Sequence, residues 1–184
     1  MRIVAGRHRG AALQAPLGST VRPTSDRARE ALFNLLENGR HKLSLHGICV
    51  IDGCAGTGAL GLEALSRGAA HVVFIEKAGD ALASLRGNCR RLGVDDTVTV
   101  IMADVTRPPP RPPTQGNLLL LDPPYHQGLG PIAITALDQA GWLADDCMVV
   151  LELAAKEALA AVAGFAVIDE RRYGAARLVF MART

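Results

Sequence analysis

Four consecutive leucines, Leu118–Leu121, are followed directly by Asp122, Pro123, Pro124 and Tyr125. An aliphatic run of this kind predicts a strand that is buried on both faces, as in parallel sheets covered by helices. The two prolines restrict φ and lack N–H groups, so the backbone after the strand is stiff and extended. Because ligands bind beyond the carboxyl ends of such strands, we favour a binding site here over an ordinary Asp-Pro turn.

The segment Asp122–Tyr125 also indicates what such a site would hold. Its carboxylate and backbone carbonyls are hydrogen-bond acceptors, and the tyrosine ring is a flat apolar surface. Together they suit a planar group that carries an NH₂ group. The candidate catalytic residues are therefore Asp122, Pro123, Pro124 and Tyr125.

From residue 48 onwards, strand patterns alternate with helix patterns. Strands are predicted at Ile48–Asp52, Val72–Glu76, Val98–Met102, Leu118–Asp122 and Met148–Leu153. Helices are predicted at Ala59–Ser66, Ala81–Leu92, 131–140 and 155–163, and a surface loop at the proline-rich residues 107–113. Two further strands, Phe165–Asp169 and Leu178–Met181, form a hairpin turned at Gly174. This order predicts an α/β fold with a doubly wound, mostly parallel sheet of seven strands that ends in an antiparallel C-terminal hairpin.

The beginning of the chain has a different pattern. Residues 2–14 predict a small β-hairpin, and residues 15–23 a linker rich in proline and glycine. A helix with apolar residues at helical spacing begins near Asp26 and ends at Gly39. The chain is accordingly divided into an N-terminal extension, residues 1–42, and a main domain, residues 43–184.

Positive charge is concentrated in this N-terminal extension. Residues 1–42 carry eight Arg and Lys against three Asp and Glu, a net charge of +5, whereas the whole chain carries only +2. A basic extension on a nearly neutral body favours contact with a polyanion. On charge alone, a solvated surface explains the pattern equally well.

Composition excludes several classes of protein. No apolar stretch approaches ~20 residues, and the first residues lack the apolar run of a signal peptide. We therefore expect a cytoplasmic protein without membrane contact, and nothing in the sequence requires more than a monomer. The four cysteines and five histidines show neither disulfide nor ligand spacing, so we expect reduced thiols and no metal.

Four acidic residues fall at or just after the ends of successive predicted strands: Asp52, Glu76, Asp104 and Asp122. In a parallel sheet these ends lie along one edge, so the four carboxylates are expected to surround one crevice. Any one of them alone is explained as a helix cap or a turn residue, but four in phase favour a site. An anionic crevice suits a cationic ligand.

A glycine-rich loop connects the first of these strands to the next helix. Gly56, Gly58 and Gly61 match the G-x-G-x-x-G pattern, and Glu76 follows at the distance of a ribose ligand. The pattern alone does not choose between NAD and S-adenosylmethionine, but Asp52 before the loop would oppose a pyrophosphate and attract a sulfonium group. With Asp104 for the adenine amine, the set describes an S-adenosylmethionine site. The candidate cofactor-binding residues are Asp52, Gly53, Cys54, Gly56, Thr57, Gly58, Glu76, Lys77, Asp104, Val105 and Asp122.

Three segments together resemble the bacterial 16S rRNA guanine-N2 methyltransferase family. They are Arg22–Glu30, with the pattern Arg-Pro-Thr-x-Asp-Arg-x-Arg-Glu, Ala55–Ala64 and Asp122–Tyr125. The resemblance implies a Rossmann-like class I methyltransferase fold. It also implies methyl transfer from S-adenosylmethionine to the exocyclic N2 of one guanine in 16S rRNA, within an assembling small ribosomal subunit. The N-terminal block is the most discriminating, since Asp-Pro-Pro-Tyr also occurs in other amino-group methyltransferases.

The chemistry of methyl transfer to guanine suggests roles for particular residues. The Asp122 carboxylate and the Pro123 carbonyl would hold the guanine amine, and Tyr125 would stack on the base. The cationic residues of the extension would contact RNA phosphates, which position the RNA without reading its sequence. These RNA-binding candidates are Arg7, His8, Arg9, Arg22, Arg27 and Arg29. Arg27 or Arg29 could instead pair with Glu30 or close over the cofactor.

Three other functions share parts of the pattern. A methyltransferase for adenine N6 in DNA or RNA would use the same segment Asp122–Tyr125, and only substrate assays separate it. An NAD-dependent oxidoreductase shares the glycine loop, but Asp122–Tyr125 supplies no acid or base for hydride transfer. A non-catalytic RNA-binding protein of this fold would be expected to lack the strand-end acids, which are present here.

Overall fold

The computed structural model describes residues 1–15, 26–111 and 114–184. The helices are α1 (Asp26–Asn38), α2 (Ala59–Ser66), α3 (Gly79–Leu92) and α4 (Leu129–Gln139), with a short 3₁₀ helix at Asp95–Thr97. The strands are β1 (Cys49–Gly53), β2 (His71–Glu76), β3 (Val98–Met102), β4 (Gly116–Leu121), β5 (Leu143–Ala154), β6 (Phe165–Tyr173) and β7 (Ala176–Arg183).

Within the described residues, seven strands form one sheet in the order β3-β2-β1-β4-β5-β7-β6. Strands β1 to β5 pair in parallel, and β7 lies antiparallel between β5 and β6. The predicted doubly wound fold with an antiparallel C-terminal hairpin is therefore confirmed. The strand order reverses between β1 and β4, and sheets of this kind bind their ligands at such a reversal.

The leucine run forms the centre of this sheet. In β4, Leu118–Leu121 pair with Val50–Gly53 of β1 on one side and with Met148–Leu151 of β5 on the other. Leu118 and Leu120 pack into a core shared with α1, α2, α3 and the N-terminal residues. Leu119 and Leu121 pack into a second core, shared with α4 and Trp142. Burial on both faces explains why the sequence here shows no alternation of polar and apolar residues.

One predicted helix and the predicted start of one strand are wrong. Residues 155–163, all of them described, form turns and irregular chain instead of a helix. Only Leu159 and Val162 of this stretch pack against a core, and a helix of this length has little stability without an apolar face to bury. Strand β5 begins five residues before the predicted Met148, because Gly116 of β4 pairs with Leu143 across a bulge.

The predicted N-terminal hairpin is also less regular than expected. Arg2 and Ala12 form a single antiparallel bridge, with further backbone hydrogen bonds such as the one from the Ile3 N–H to the Ala11 carbonyl, at 2.9 Å. Residues 16–23 of the predicted linker lie outside the described residues, and the predicted helix is found as α1, Asp26–Asn38. Among the described residues, no helix is both long and apolar enough to cross a bilayer.

Candidate functional site

Three of the four strand-end acids are connected electrostatically at the carboxyl edge of the sheet. Asp52 lies in β1, Glu76 ends β2 and Asp122 directly follows β4. Burial raises the pKa of Asp52 well above its usual value, and the charges of Asp122 and Glu76 raise it further. The structure thus brings together side chains that are up to 70 positions apart in the sequence.

The side chain of Asp52 is hydrogen-bonded to the helix that follows the glycine loop. This side chain is almost completely buried, at 2% exposure, and its Oδ2 accepts the backbone N–H of Gly61 at 2.8 Å. This hydrogen bond connects β1 to the first turn of α2. It also lowers the pKa of Asp52, although burial has the larger effect.

The loop itself requires glycine at two positions for different reasons. Gly58 has φ +80°, and a Cβ there would lie 2.2 Å from Cδ1 of Leu85, so a side chain collides with α3. Gly56 has φ +55°, but a Cβ there would meet no atom within 4 Å. The backbone of Gly56 is therefore open towards a ligand, as close approach to a nucleotide requires.

The Glu76 carboxylate accepts hydrogen bonds from the glycine loop and from the two residues that follow β2. Its Oε2 accepts the N–H of Gly56 at 2.8 Å, and its Oε1 accepts the N–H groups of Lys77 and Ala78 at 2.8 Å. The carboxylate is thus held in one orientation, and it keeps further lone pairs for ligand hydroxyls.

Asp104 and its neighbours continue this edge of the site. The Asp104 carboxylate accepts hydrogen bonds from the side chain and the backbone of Thr106, which lower its pKa. The ammonium group of Lys77 lies 3.5 Å from it. Val105 is buried, and a Cβ on Gly53 would lie 3.0 Å from its Cγ2, so these two residues shape the wall of the site.

Cys54 and Thr57 complete the predicted cofactor set. Burial, with smaller contributions from nearby carboxylates, raises the pKa of the Cys54 thiol to about 12, so the group is neutral at physiological pH. The carbonyl of Thr57 accepts an N–H from Asn88 at 3.0 Å. All of these residues adjoin the glycine loop or the strand ends, and the set fits a cationic nucleoside such as S-adenosylmethionine. Among the described residues, no group of three or more His, Cys, Asp or Glu is placed to hold a metal ion.

The segment after β4 presents Tyr125 at the surface. Pro123 is buried, whereas the Tyr125 side chain is 38% exposed. The phenolic O–H donates to Oε1 of Glu152 at 2.5 Å. The hydrogen bond ties the partly exposed ring to β5, and the ring of His126 lies edge-on to it with centroids 6.4 Å apart.

Glu152 was not among the residues predicted from the sequence. It is an acidic residue between Leu151 and Leu153 in a strand that is otherwise aliphatic near its end, and it is only 8% exposed. A lone carboxylate near the carboxyl end of a buried strand was the available signal, since such a group needs a partner or a function.

Arg7, Arg9 and Arg27 are exposed, as expected for residues that contact a polyanion. His8 between them is half-buried, with its backbone N–H on Oγ of Ser66 at 3.0 Å, and burial together with Arg7 lowers its pKa. Arg22 lies outside the described residues.

The prediction for Arg29 is wrong. Its side chain is fully buried, pairs with Asp26 at 2.8 Å and lies 3.7 Å from the buried carboxylate of Glu63, so it does not face an RNA. It also donates to the carbonyl of Arg2. Arg29 falls on the helix face that packs against α2, and the motif in the sequence does not distinguish this structural use from a phosphate contact.

The N-terminal residues are hydrogen-bonded to helices α2 and α3. The Glu63 carboxylate in α2 accepts the N–H groups of Val4 and Ala5 at 2.7 and 3.0 Å. In α3, the buried Asn88 side chain accepts the N–H of Gln14 at 2.8 Å and donates to the Gln14 and Thr57 carbonyls. One amide thus connects the N-terminal extension to the glycine loop.

Comparison with known proteins identifies relatives over nearly the whole chain. The family described as Conserved hypothetical protein 95 matches residues 1–182. The Ribosomal RNA small subunit methyltransferase D of Escherichia coli (strain K12) is 36% identical over 83% of this chain and 74% of its own length. The protein of the same name from Haemophilus influenzae is 31% identical over 95% of this chain and 89% of its own length.

Solved structures show the same architecture. The Escherichia coli protein yhhF superposes with a TM-score of 0.84 at 30% identity, covering 100% of this chain and 97% of that one. The magnesium protoporphyrin IX methyltransferase of Synechocystis PCC 6803, solved with bound SAM, superposes with a TM-score of 0.62 at 17% identity, covering 86% of this chain and 79% of that one. This second likeness concerns the fold alone.

Proposed function

The chain belongs to the family described as Conserved hypothetical protein 95, and from this premise we propose that it is an S-adenosylmethionine-dependent methyltransferase of small-subunit rRNA. We further propose that the methyl acceptor is the exocyclic N2 of one guanine in 16S rRNA. The observation that carries the proposal is the position of Asp122–Tyr125 directly beyond β4, beside the glycine loop that follows β1.

The cofactor would be held by the residues around the glycine loop. The open backbone at Gly56 allows close approach, the fixed Glu76 carboxylate suits the ribose hydroxyls, and Asp104 suits the adenine amine. The buried Asp52, whose pKa is raised by burial, would lie near the position expected for the sulfonium, and a bound cation there would favour its ionised form. When bound, S-adenosylmethionine supplies an electrophilic methyl group on a cationic sulfur.

The segment after β4 would orient the acceptor. A guanine amine is a weak nucleophile because its lone pair is delocalised into the ring. If its two N–H groups donate to the Asp122 carboxylate and the Pro123 carbonyl, the lone pair is directed towards the methyl group. Alignment of this kind supplies much of the rate acceleration in transfer reactions.

The base has to leave its stack in the RNA to reach this segment. The partly exposed ring of Tyr125 would offer a replacement stacking partner, typically worth about 1–3 kcal/mol per base. Its hydrogen bond to Glu152 fixes the ring before the base arrives. Tyr125 therefore recovers part of the free energy that extrusion of the base requires.

The arginines of the N-terminal extension would bind the RNA backbone. Arg7, Arg9 and Arg27 are exposed, and Arg22 belongs to the same basic segment. Because the extension is joined to α2 and α3 through Glu63 and Asn88, an RNA bound there is held at a fixed position relative to the glycine loop.

The experiment that tests this function uses the full chain with methyl-labelled S-adenosylmethionine. The substrates are naked 16S rRNA and small ribosomal subunits from cells that lack the endogenous modification, followed by nucleoside analysis. We expect labelled N2-methylguanosine at a single position, with subunits the better substrate. Label in N6-methyladenosine would replace guanine by adenine in the proposal, and absence of label in both substrates would overturn it.

A further inference from the structure

Glu152 is placed beside Asp122 by the register of the sheet. Leu121 of β4 pairs with Leu151 of β5, and the two acidic residues each follow one member of this pair. Neighbouring strands lie about 4.8 Å apart. Leu151 and Leu153 both pack into the second core, so Glu152 between them is directed to the opposite face of the sheet. The carboxyl edge therefore carries a fifth acid, next to the one already assigned to the acceptor amine.

Glu152 is nearly buried and is hydrogen-bonded to the tyrosine that we assign to base stacking. Its side chain is 8% exposed, and its Oε1 accepts the O–H of Tyr125 at 2.5 Å. A carboxylate has about four lone-pair positions, so it can accept several donors at once and the Tyr125 hydroxyl uses one of these positions. A planar ligand stacked on Tyr125 would present its edge to the same region.

We propose that Glu152 is a specificity-determining residue that accepts the N1–H of the target guanine. The inference rests on the proposed function and names the residue that selects the base. Guanine carries N1–H and the 2-amine side by side, so two adjacent carboxylates, Asp122 and Glu152, match its donor edge. Adenine has a lone pair at N1, which a carboxylate repels, beside the amine at position 6. The pair therefore accepts guanine and rejects adenine.

The test uses RNA substrates in which the target guanine is replaced by 2-aminopurine or 2,6-diaminopurine. Both analogues keep the 2-amine that receives the methyl group, but both have a lone pair at N1. With the wild-type protein, we expect kcat/KM on either analogue to be roughly 10- to 100-fold lower than on guanine, the size of one lost hydrogen bond to a charged group. Equal kcat/KM on guanine and the analogues would overturn the proposal, whatever any variant does.

The variant Glu152→Gln then identifies the residue responsible. A carboxamide can donate to N1 of the analogues, so we expect the guanine-to-analogue ratio of kcat/KM to fall by about tenfold or more. Glu170→Gln, an exposed acid on β6, is the matched control and should leave the ratio unchanged. Tyr125→Phe removes the hydrogen bond to Glu152 but keeps the ring, and it should lower kcat/KM on all substrates with little change in the ratio.

The outcomes separate two kinds of failure. If Glu152→Gln lowers kcat/KM equally on guanine and on the analogues, Glu152 only supports Tyr125 and the specificity proposal is wrong. If the wild-type protein transfers no methyl group to guanine in rRNA, the proposed function itself has failed, and the analogue ratio is not the cause. If Glu152→Gln does not fold, Glu152→Ala takes its place, because removal of the carboxylate should also lower the guanine-to-analogue ratio, and an unchanged ratio overturns the assignment to Glu152.

Discussion

The carboxylate of Asp52 accepts the backbone N–H of Gly61 over 2.8 Å, out of contact with water, and this hydrogen bond joins β1 to the helix that follows the glycine loop. The pKa of this carboxyl group is nevertheless raised well above its usual value, because burial outweighs the hydrogen bond. The native protein therefore holds a proton on Asp52 more tightly than the unfolded chain does. The contribution to stability is present at acid pH and is lost as the pH rises through the native pKa.

Asp52→Asn should remove this pH dependence, because a carboxamide oxygen still accepts the Gly61 N–H and does not titrate. We expect the variant to have a higher free energy of unfolding than the wild type at pH 8, with the difference shrinking towards pH 4. Its affinity for S-adenosylmethionine should fall by about tenfold, since a carboxamide cannot ionise beside the bound sulfonium as a carboxyl group can. Urea denaturation across this pH range and calorimetric titration measure the two effects. A stability difference independent of pH would contradict the argument.

Asp122→Ala should abolish methyl transfer while the cofactor still binds. Without the carboxylate, the acceptor amine loses its orientation, and we expect kcat to fall by about a hundredfold or more. Asp122 is only one of eleven candidate cofactor-binding residues, so the dissociation constant for S-adenosylmethionine should change far less than kcat does. Asp122→Asn is the informative companion, because it keeps an acceptor but cannot take a proton. If Asn is as inactive as Ala, Asp122 acts as a base; if it retains clearly more activity, orientation is its main role.

Gly58→Ala and Gly56→Ala should separate stability from cofactor binding. Both residues have positive φ, which disfavours alanine by about 1–2 kcal/mol. At Gly58 the new Cβ would also collide with Leu85, so we expect a loss of about 2–4 kcal/mol by urea denaturation. At Gly56 the Cβ meets no protein atom, so the main effect should be weaker cofactor binding. Equal loss of stability in the two variants would contradict this assignment.

Arg29→Met should destabilise the protein far more than Arg27→Met, two positions earlier on the same helix. Arg29 is buried beside Glu63, and removal of one partner of a buried ion pair typically costs about 3–5 kcal/mol. Arg27 is exposed, so its replacement should change stability by less than about 0.5 kcal/mol. Urea denaturation tests the first effect, and limited proteolysis should show release of the N-terminal residues in Arg29→Met alone.

Replacing Arg7 and Arg9 together with Gln should weaken RNA binding and reduce its dependence on salt. Two lost phosphate contacts lower the slope of log K against log salt concentration by about 1.4–1.8. Titrations of a 16S rRNA fragment at several salt concentrations measure the slope. Arg172→Gln, on the exposed edge strand β6, should leave it unchanged. An unaltered slope in the double variant would exclude the N-terminal tip from the RNA interface.

The sheet could be predicted because its strands differ sharply from their surroundings. The run Leu118–Leu121 is too apolar and too short for a surface helix, and the strand-end acids mark the same edge four times. The helix expected at 155–163 failed because alanine-rich sequence has high intrinsic helix propensity, whereas the structure depends on how much apolar surface the segment can bury.

The site was predicted only in part because its cross-links are long-range. Glu152 meets Tyr125 from 27 positions away, and Asn88 meets Gln14 from 74 positions away. Neither pairing has a local signal, since both depend on strand order and helix packing. Arg29 shows the opposite case, a residue in a recognisable motif whose role could not be predicted from that motif. It belongs to a basic motif, but its position on α1 directs it into the core, where it pairs with an acid from α2.

The docking of residues 1–15 on α2 and α3 also decides how this enzyme can be re-engineered. Residues 1–15 depend on the rest of the fold, because Glu63 of α2 and Asn88 of α3 supply their hydrogen-bond partners. Because these hydrogen bonds go to backbone groups, a relative's extension of the same backbone conformation can use them, whereas a chain without the Glu63 carboxylate or the Asn88 amide would leave backbone N–H groups of the extension unpaired. Retargeting such an enzyme to another RNA therefore means keeping Glu63 and Asn88 while the exposed arginines are changed.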